Sequence, residues 1–451
     1  MSTASDDLAG ALARDGIEHL LVMFVNLHGK PCAKLAPVET LDELLRDGLG
    51  FAGHAADGLG QGPQDPDVVA VPDATSYLPV PLRPGLGIIQ CDLFVEGEPW
   101  PYSPRGILRA QLGRLAERDR VARIGAEPEY FLVRRDADGT VRVADPQDTA
   151  ASPCYDAYAA TRSLDHLVTL SRTMNQWGWG NYSNDHEDAN GQFEQNFGYA
   201  EALVTADRVV AFRYLARMAA ERDGLIATFM PKPFTDLTGS GLHLHLSLAT
   251  PDGARATFEP GDGPDRYGLG LSEEGYHFVG GVLAHAPGLH ALTSPTVNSY
   301  KRIGAVTTRS GASWAPGYAS YGGNNRTHLV RVPAPGRIEV RCVDAAANPY
   351  LAAAGIIAAG LDGLEQKRDP GAPVEGDPAR LTADEAARAG LRPLPPTLLH
   401  AADALAADEA LRAALGKVPG GEYADYYAQA KRAEFAEYHR QVSRWEWDRY
   451  L

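Results

Sequence analysis

Residues 241–248 read Gly-Leu-His-Leu-His-Leu-Ser-Leu, an unbroken alternation of apolar and polar side chains. A period of two fits an extended strand, whose successive side chains point to opposite faces, and not a helix. His243, His245 and Ser247 therefore share one face, and Leu242, Leu244, Leu246 and Leu248 the other. Two further segments repeat the device. Glu127-Pro128-Glu129 puts two carboxylates on one face ahead of the apolar run Tyr130–Val133, and Arg337-Ile338-Glu339-Val340-Arg341 puts Arg, Glu and Arg together. Any one of these is explained by an antiparallel sheet with one solvated face. Taken jointly, they form a face carrying only groups that bind metals or phosphates.

A fourth segment, residues 185–194, is dense in acids and amides around Gly191 and includes His186, Glu187 and Glu194. By itself it reads equally well as a solvated acidic loop. Close carboxylates repel unless a cation lies between them. Glutamate oxygens with one or two imidazoles suit Mg²⁺ or Mn²⁺ better than zinc. Arg302, Arg326, Arg331, Arg337 and Arg341 fall within forty residues, and guanidinium forks match carboxylates and phosphates. Metals facing arginines describe a site for an anionic acid and a nucleoside triphosphate, with no Walker loop required. Gly58-Leu59-Gly60-Gln61-Gly62 lacks the spacing and context of a dinucleotide fingerprint, and there is neither a phosphate-loop motif nor a nucleophile elbow.

Composition narrows the class. The chain has 451 residues, is 44% hydrophobic and 22% charged, and carries a net charge of −16. Length predicts two or three domains, or one large domain with an appendage. An acidic chain without a basic cluster argues against nucleic acid. Cys32, Cys91, Cys154 and Cys342 are scattered with no paired spacing, so neither a zinc framework nor a disulfide scaffold is expected. The early acids Asp6, Asp7 and Asp15 interrupt any signal-peptide core, and the longest apolar run, 351–361, is too short to span a bilayer. No membrane association and a cytoplasmic location are expected.

Along the chain, 19–27 and 31–38 read as paired strands, 40–46 as a helix capped by Thr40, 50–66 as a long glycine-rich loop and 86–94 as a strand. Helical spacing recurs near 105–118, 161–176, 204–221, 349–364 and 398–414. Segment 366–396 reads as a surface excursion, and a boundary falls before Pro104.

In this order, Gly125–Phe131, His186-Glu187 to Glu194, Phe229–Pro233, Gly239–His245, Asn298–Arg302, Asn325-Arg326, Arg337–Arg341 and Asn348–Tyr350 resemble the glutamine synthetase family. The motifs span nearly the whole chain. The resemblance implies an α+β fold: an N-terminal β-grasp domain (1–103) and a large catalytic domain (104–451) with a curved antiparallel sheet and flanking helices. It implies stacked rings, usually dodecamers, with each site completed by a neighbour's β-grasp domain. Position by position, it implies one Mg²⁺ or Mn²⁺ held by Glu129, Glu187 and Glu194 and a second by Glu127, His243 and Glu339. Glutamate contacts map to Gly239, Arg302 and Arg341, and ATP and phosphate contacts to His245, Ser247, Arg326, Arg331 and Arg337. Arg302 and Arg326 carry catalytic roles. The implied reaction phosphorylates a side-chain carboxylate with ATP and condenses the acyl phosphate with an amine.

Two departures fall in one pocket. Ammonia-using members carry an aspartate in a Phe-Asp-Gly-Ser-Ser segment, where this chain has Phe51-Ala52-Gly53-His54-Ala55. The flap glutamate before Ala-Pro aligns with Trp314 in Ser313-Trp314-Ala315-Pro316, and the flap is longer after Arg302. Losing both anions disfavours ammonium, while Trp314 offers a cation–π face or an apolar wall to an N-alkyl group, so that Trp314 and Ala52 mark the expected amine pocket. With residues 185–194, this is similar to the type III glutamate–ammonia ligases, which include γ-glutamylmethylamide synthetases. The expected activity is therefore γ-glutamyl amide formation from glutamate, ATP and a small primary amine such as methylamine. Ammonia-dependent glutamine formation, a larger amine, and a glutamate analogue remain open, the last because Thr238 replaces an asparagine common in the family. A non-catalytic ring protein is the reading of another class; every metal and phosphate position is filled, which favours catalysis. No tyrosine lies between Pro393 and Leu415, where adenylylated members carry one.

Overall fold

The computed structural model describes residues 2–304, 308 and 314–451. After helix α1 (Ser2–Arg14), β1 (His19–Val25) pairs antiparallel with β2 (Pro31–Pro37). The turn is organised by Asn26, whose Oδ1 accepts from the backbone N–H groups of His28 and Lys30, both at 3.0 Å. Then follow α2 (Leu41–Asp47), β3 (Leu49–Phe51), β4 (Val68–Pro72), β5 (Leu78–Pro79), β6 (Leu86–Val95) and β7 (Glu98–Pro99). The order β2-β1-β6-β4-β3 is mixed, because β1 runs parallel to β6. The apolar run in β1 has both faces covered, as continuous runs require. Val22 and Phe24 pack into the small domain's own core, whereas Met23 and Val25 join the core of the remainder.

The larger part opens at α3 (Pro104–Ala116), with Ser103 Oγ accepting from Gly106 N–H at 3.2 Å and proline at the first helical position. Its sheet is built on the fifteen-residue β8 (Val121–Arg135), which runs to β9 (Val141–Val143). Helices α4 (Ala157–Arg162) and α5 (Leu164–Gln176) lead to β10 (Ser183–His186), β11 (Gln192–Asn196) and β12 (Ala200–Glu201). Next come α6 (Ala202–Arg222), β13 (Ile226–Thr228) and β14 (Leu242–Ala249), then α7 (Glu273–Ala284) and α8 (Ala286–Thr293). Strands β15 (Tyr318–Ala319), β16 (Tyr321–Gly322), β17 (Val330–Ala334) and β18 (Arg337–Val340) precede α9 (Pro349–Glu365). The order is β10-β11-β8-β14-β18-β17-β16, antiparallel except for the β16–β17 pair. The molecule thus has the expected α+β architecture, a small curled β domain beside a large sheet backed by helices.

The apolar run 351–361 belongs to α9, which is buried against α7. The two helices approach so closely that a Cβ on Gly281 would lie 2.0 Å from the Ala359 carbonyl. Among the described residues no helix is long and apolar enough to cross a membrane.

Two polar clusters join the parts. Asn348 caps α9, and its Nδ2 donates to the carbonyls of Asn26 (3.0 Å) and Leu27 (3.3 Å). Arg105, with its side chain 4% exposed, donates to Asp207 (3.0 and 2.9 Å), Asp92 (2.7 Å) and Asp73 (2.7 Å). Asp73 and Asp92 belong to the small domain and Asp207 to α6.

Several element boundaries depart from expectation. Thr40 does not cap α2; its hydroxyl donates to the Pro37 carbonyl at 2.9 Å. The helices expected at 161–176 and 398–414 are each divided, at Ser163 and at Asp408. Asp408 caps the second piece of the latter through Leu411 N–H at 3.0 Å. The excursion 366–396 contains a helix, Ala383–Arg388, closed by a Thr382/Glu385 capping box. The glycine-rich loop carries β3 and a 3-10 turn at Gly53–Ala56.

Candidate active site

Strand register carries the charged faces into one row. On β8, Glu129 lies opposite Glu194 of β11, and Glu127 opposite His243 of β14. His245 lies opposite Glu339 of β18, and Glu339 opposite Arg331 of β17. Directly paired positions share a face, so residues from five strands meet across about twenty ångströms of sheet at roughly 4.8 Å per strand. Pairing accomplishes what sequence separation hides: residues 127 and 339 become neighbours.

Glu127, Glu129, Glu194, His243 and Arg331 of this row line a cavity of about 380 Å³ whose wall also includes Glu187, Gly239, Arg302, Arg326, Arg341 and Trp314. His245 Nε2 is 2.9 Å from Glu127 Oε1, and His243 Nδ1 is 3.6, 3.7 and 3.9 Å from carboxylate oxygens of Glu127, Glu129 and Glu339. Glu129 Oε2 accepts from Gln192 Nε2 and Gly241 N–H, each at 2.9 Å. The Glu339 carboxylate bridges Arg331 (2.7 Å) and Arg341. Ser247 and Arg337 lie one alternation further along β14 and β18, outside the cavity lining together with His245 and Glu339. Ala52, exposed in the small domain, does not reach this cavity within one chain. Ser313 and most of the longer flap lie outside the described residues.

Electrostatics divide the acids into two groups. Burial raises Glu187 to about 8, with the charges of Glu129 and Asp188 adding to the effect. Glu194 is raised well above the carboxylate range by burial and by Glu187, Glu127 and Glu129. Burial also works to raise Glu127 and Glu339, but is outweighed: hydrogen bonds from His243 and His245 hold Glu127 low, and Arg341 and the same imidazoles hold Glu339 low. Burial, then Arg341, lowers His243, favouring the neutral imidazole that a metal requires.

These residues fit divalent cations. Donor atoms of Glu127, Glu194 and His243 lie within 4.8 Å of one another, as do those of Glu127, His245 and Glu339. His243 Nε2 is buried with no hydrogen-bond partner among the described residues. The triplets differ in membership from the sets implied by resemblance: His243 groups with Glu194, and His245 stands in its place beside Glu127 and Glu339, while Glu129 is engaged by Gln192 and Gly241. Arg302 is 7% exposed, and its Nη1 is buried with no partner among the described residues, as suits a guanidinium facing an anionic ligand. Gly239 allows the approach: a Cβ there would lie 2.4 Å from the Pro231 carbonyl and 2.8 Å from Arg302 Cγ.

The cavity also contains Cys154, Tyr155, Asp188, Lys232 and Thr308, none assigned a site role from the sequence. Asp188, next to Glu187, and Lys232, within the Phe229–Pro233 motif, carried a local signal. Trp314, 42% exposed, forms part of the wall with Ala315.

Residues 101–450 match the family model of the glutamine synthetase catalytic domain. The chain is 42% identical over 446 residues to a glutamine synthetase of Rhizobium leguminosarum bv. phaseoli, covering 99% of each chain. It is also 42% identical over 441 residues to a glutamate–methylamine ligase of Methyloversatilis universalis, covering 98% of this chain and 97% of the relative. A solved GmaS–ADP complex superposes with a TM-score of 0.91 at 46% identity, covering 99% of both chains. A ligand-free GmaS structure gives 0.87 at 44% identity, covering 98% of both. The chain belongs to the glutamine synthetase family. It is an ATP-dependent ligase that joins an acid to ammonia or an amine, with the clustered Glu and His side chains of a divalent-metal enzyme.

Proposed function

We propose that the enzyme joins the side-chain carboxylate of glutamate to a small alkylamine, methylamine or a near homologue, in preference to ammonia. The observation that carries this reading is Trp314, an indole on the wall of the catalytic cavity. An ammonium site needs an anion there, whereas an indole offers an apolar wall and a π face to an alkylammonium ion. The glutamate–methylamine ligase supports the reading, although the equally similar glutamine synthetase shows that overall identity does not select the amine.

In this reading Gly239, Arg302 and Arg341 hold glutamate, and His245, Ser247, Arg326, Arg331 and Arg337 hold the ATP phosphates. Glu129, Glu187 and Glu194 hold one Mg²⁺ or Mn²⁺, and Glu127, His243 and Glu339 a second. When bound, the cations neutralise charge on the transferring phosphoryl group. Arg326 and Arg302 act on the reacting groups: the glutamate carboxylate oxygen bonds to the γ-phosphorus as the bond to ADP breaks. The amine nitrogen, having lost its extra proton, then bonds to the acyl carbon as the bond to phosphate breaks, and its second proton leaves with the phosphate as hydrogen phosphate. Asp188, in the cavity and outside both metal sets, accepts the first proton. The division at 103/104, assembly as a dodecamer of stacked rings, and contribution of Ala52 from a neighbouring subunit belong to the same reading.

The test is kcat/KM for ammonia, methylamine, ethylamine, a diamine and an aromatic amine with glutamate and Mg²⁺-ATP. A preference for ammonia refutes the proposal. Trp314→Glu is expected to raise relative use of ammonia at least tenfold; an unchanged ratio removes the indole from the argument.

A further inference from the structure

A second cavity, of about 370 Å³, lies between the β1–β2 turn and α6 and shares no lining residue with the catalytic one. Its fixed cations are Lys30, Arg213 and Arg217, and no carboxylate lines it. That is unusual in a chain of net charge −16. Arg213 and Arg217 are four residues apart on α6, hence on one face. Their guanidinium carbons lie 5.7 and 5.6 Å from the ring centroid of Phe229, which forms part of the wall.

Arg213 is poorly compensated. It is 7% exposed and donates through Nη2 to the Ala347 carbonyl at 2.9 Å, while its buried Nε has no partner among the described residues. Burial, and then the charge of Arg217, lowers it to about 10. The charges of Asp344 and Glu221 oppose this but are outweighed, and among the described residues neither forms an ion pair with the two arginines. Arg105 makes the contrast plain, since its buried fork meets three carboxylates. A buried guanidinium without a counter-charge is costly, and an anion entering the cavity would relieve it.

We propose that this cavity binds a small organic anion, with a carboxylate or phosphate between Arg213, Arg217 and Lys30 and an apolar body against Phe229, Met230 and Pro231. Paired guanidinium groups recognise either oxyanion by parallel N–H···O bonds, and the volume suits a metabolite rather than a polymer.

The test is calorimetric titration of the Mg²⁺-loaded enzyme, its catalytic cavity filled with glutamate and a non-hydrolysable ATP analogue, with inorganic phosphate and with succinate as separate probes. One saturable site per chain is expected. Tighter phosphate points to a phosphorylated ligand, and tighter succinate to a carboxylate. Arg217→Ala and Lys30→Ala remove exposed side chains and are each expected to weaken binding at least tenfold, Arg213→Met to abolish it, and Lys417→Ala to leave it unchanged. No saturable binding of either probe, or unchanged affinity in Arg217→Ala, overturns the proposal.

Discussion

Replacing Arg105 with methionine tests how the two parts of the molecule are held together. The guanidinium satisfies three carboxylates at 2.7–3.0 Å, and its loss does not fall on them equally. Arg109 also reaches Asp73 at 2.7 Å and Asp92 at 3.0 Å, so those two retain a cation. Among the described residues Asp207 retains only the Tyr350 hydroxyl, which donates to it at 2.6 Å. Removing one partner of a buried pair costs about 3–5 kcal/mol. With one of three acids stranded, Arg105→Met should lie near the lower end, about 3 kcal/mol. Asp207→Asn in that background removes the stranded charge, so the double variant should be no less stable than Arg105→Met alone; the coupling energy is then at least the cost of Asp207→Asn alone, about 1.5 kcal/mol. The deficit should also depend on pH. Burial already raises Asp207, with Arg105 opposing it. Without the arginine its folded pKa rises further, so the fold holds a proton that the unfolded chain has released. Stability of the variant relative to wild type then falls as pH rises through that window. Urea midpoints of both single variants and the double, at about pH 5.5 and 8, read all three effects. A deficit under about 1 kcal/mol, additive substitutions, or a deficit independent of pH would refute the assignment.

Other outcomes follow from the site and the helical layer. Glu187, raised to about 8 from its ordinary 4.5, keeps a proton in the metal-free fold that the unfolded chain has lost. The melting temperature of the metal-free protein should therefore fall as pH rises across that interval, and Mg²⁺ should raise it more at pH 8 than at pH 5.5; equal shifts would contradict this. His285 lies 2.8 Å from both Asp362 and Asp408, which together outweigh burial and raise its pKa above 6.5. Its stabilisation should be full below pH 6.5 and vanish as pH rises through the folded value, a slope that denaturation of His285→Asn should lack. Gly239→Ala should push Arg302 aside and lower kcat/KM for glutamate more than tenfold, against overpacking of about 1–3 kcal/mol in stability; unchanged kinetics would place Arg302 outside the acid site.

The charged strands of the cavity were legible because their chemistry lies on a period-two pattern that survives in one dimension. Gly241–Leu248 announces a two-faced strand whatever surrounds it, and Glu127 and Glu129 share a face by the same rule. The helix breaks at Ser163 and Asp408 were not legible, since the residues on both sides keep helical spacing and only local capping interrupts them. Thr40 misled because a hydroxyl that can cap a helix can equally donate to the Pro37 carbonyl. Cys154, Tyr155 and Thr308 carry no distinguishing local pattern and reach the cavity only through the paths of their loops, and Lys232, though inside the Phe229–Pro233 motif, had no role that the motif made visible.

Alternation, residue type and motif order thus determined the class of chemistry and the family from the linear chain, because those properties belong to residues and their near neighbours. Register across β11, β8, β14, β18 and β17 decided which acid faces which imidazole or arginine, and so which carboxylates hold protons and which are held ionised. The pairing of Arg213 with Arg217 over Phe229 was settled at the same level. Both depend on burial and on contacts between distant segments, which exist only once the sheet has paired and the helices have closed over it.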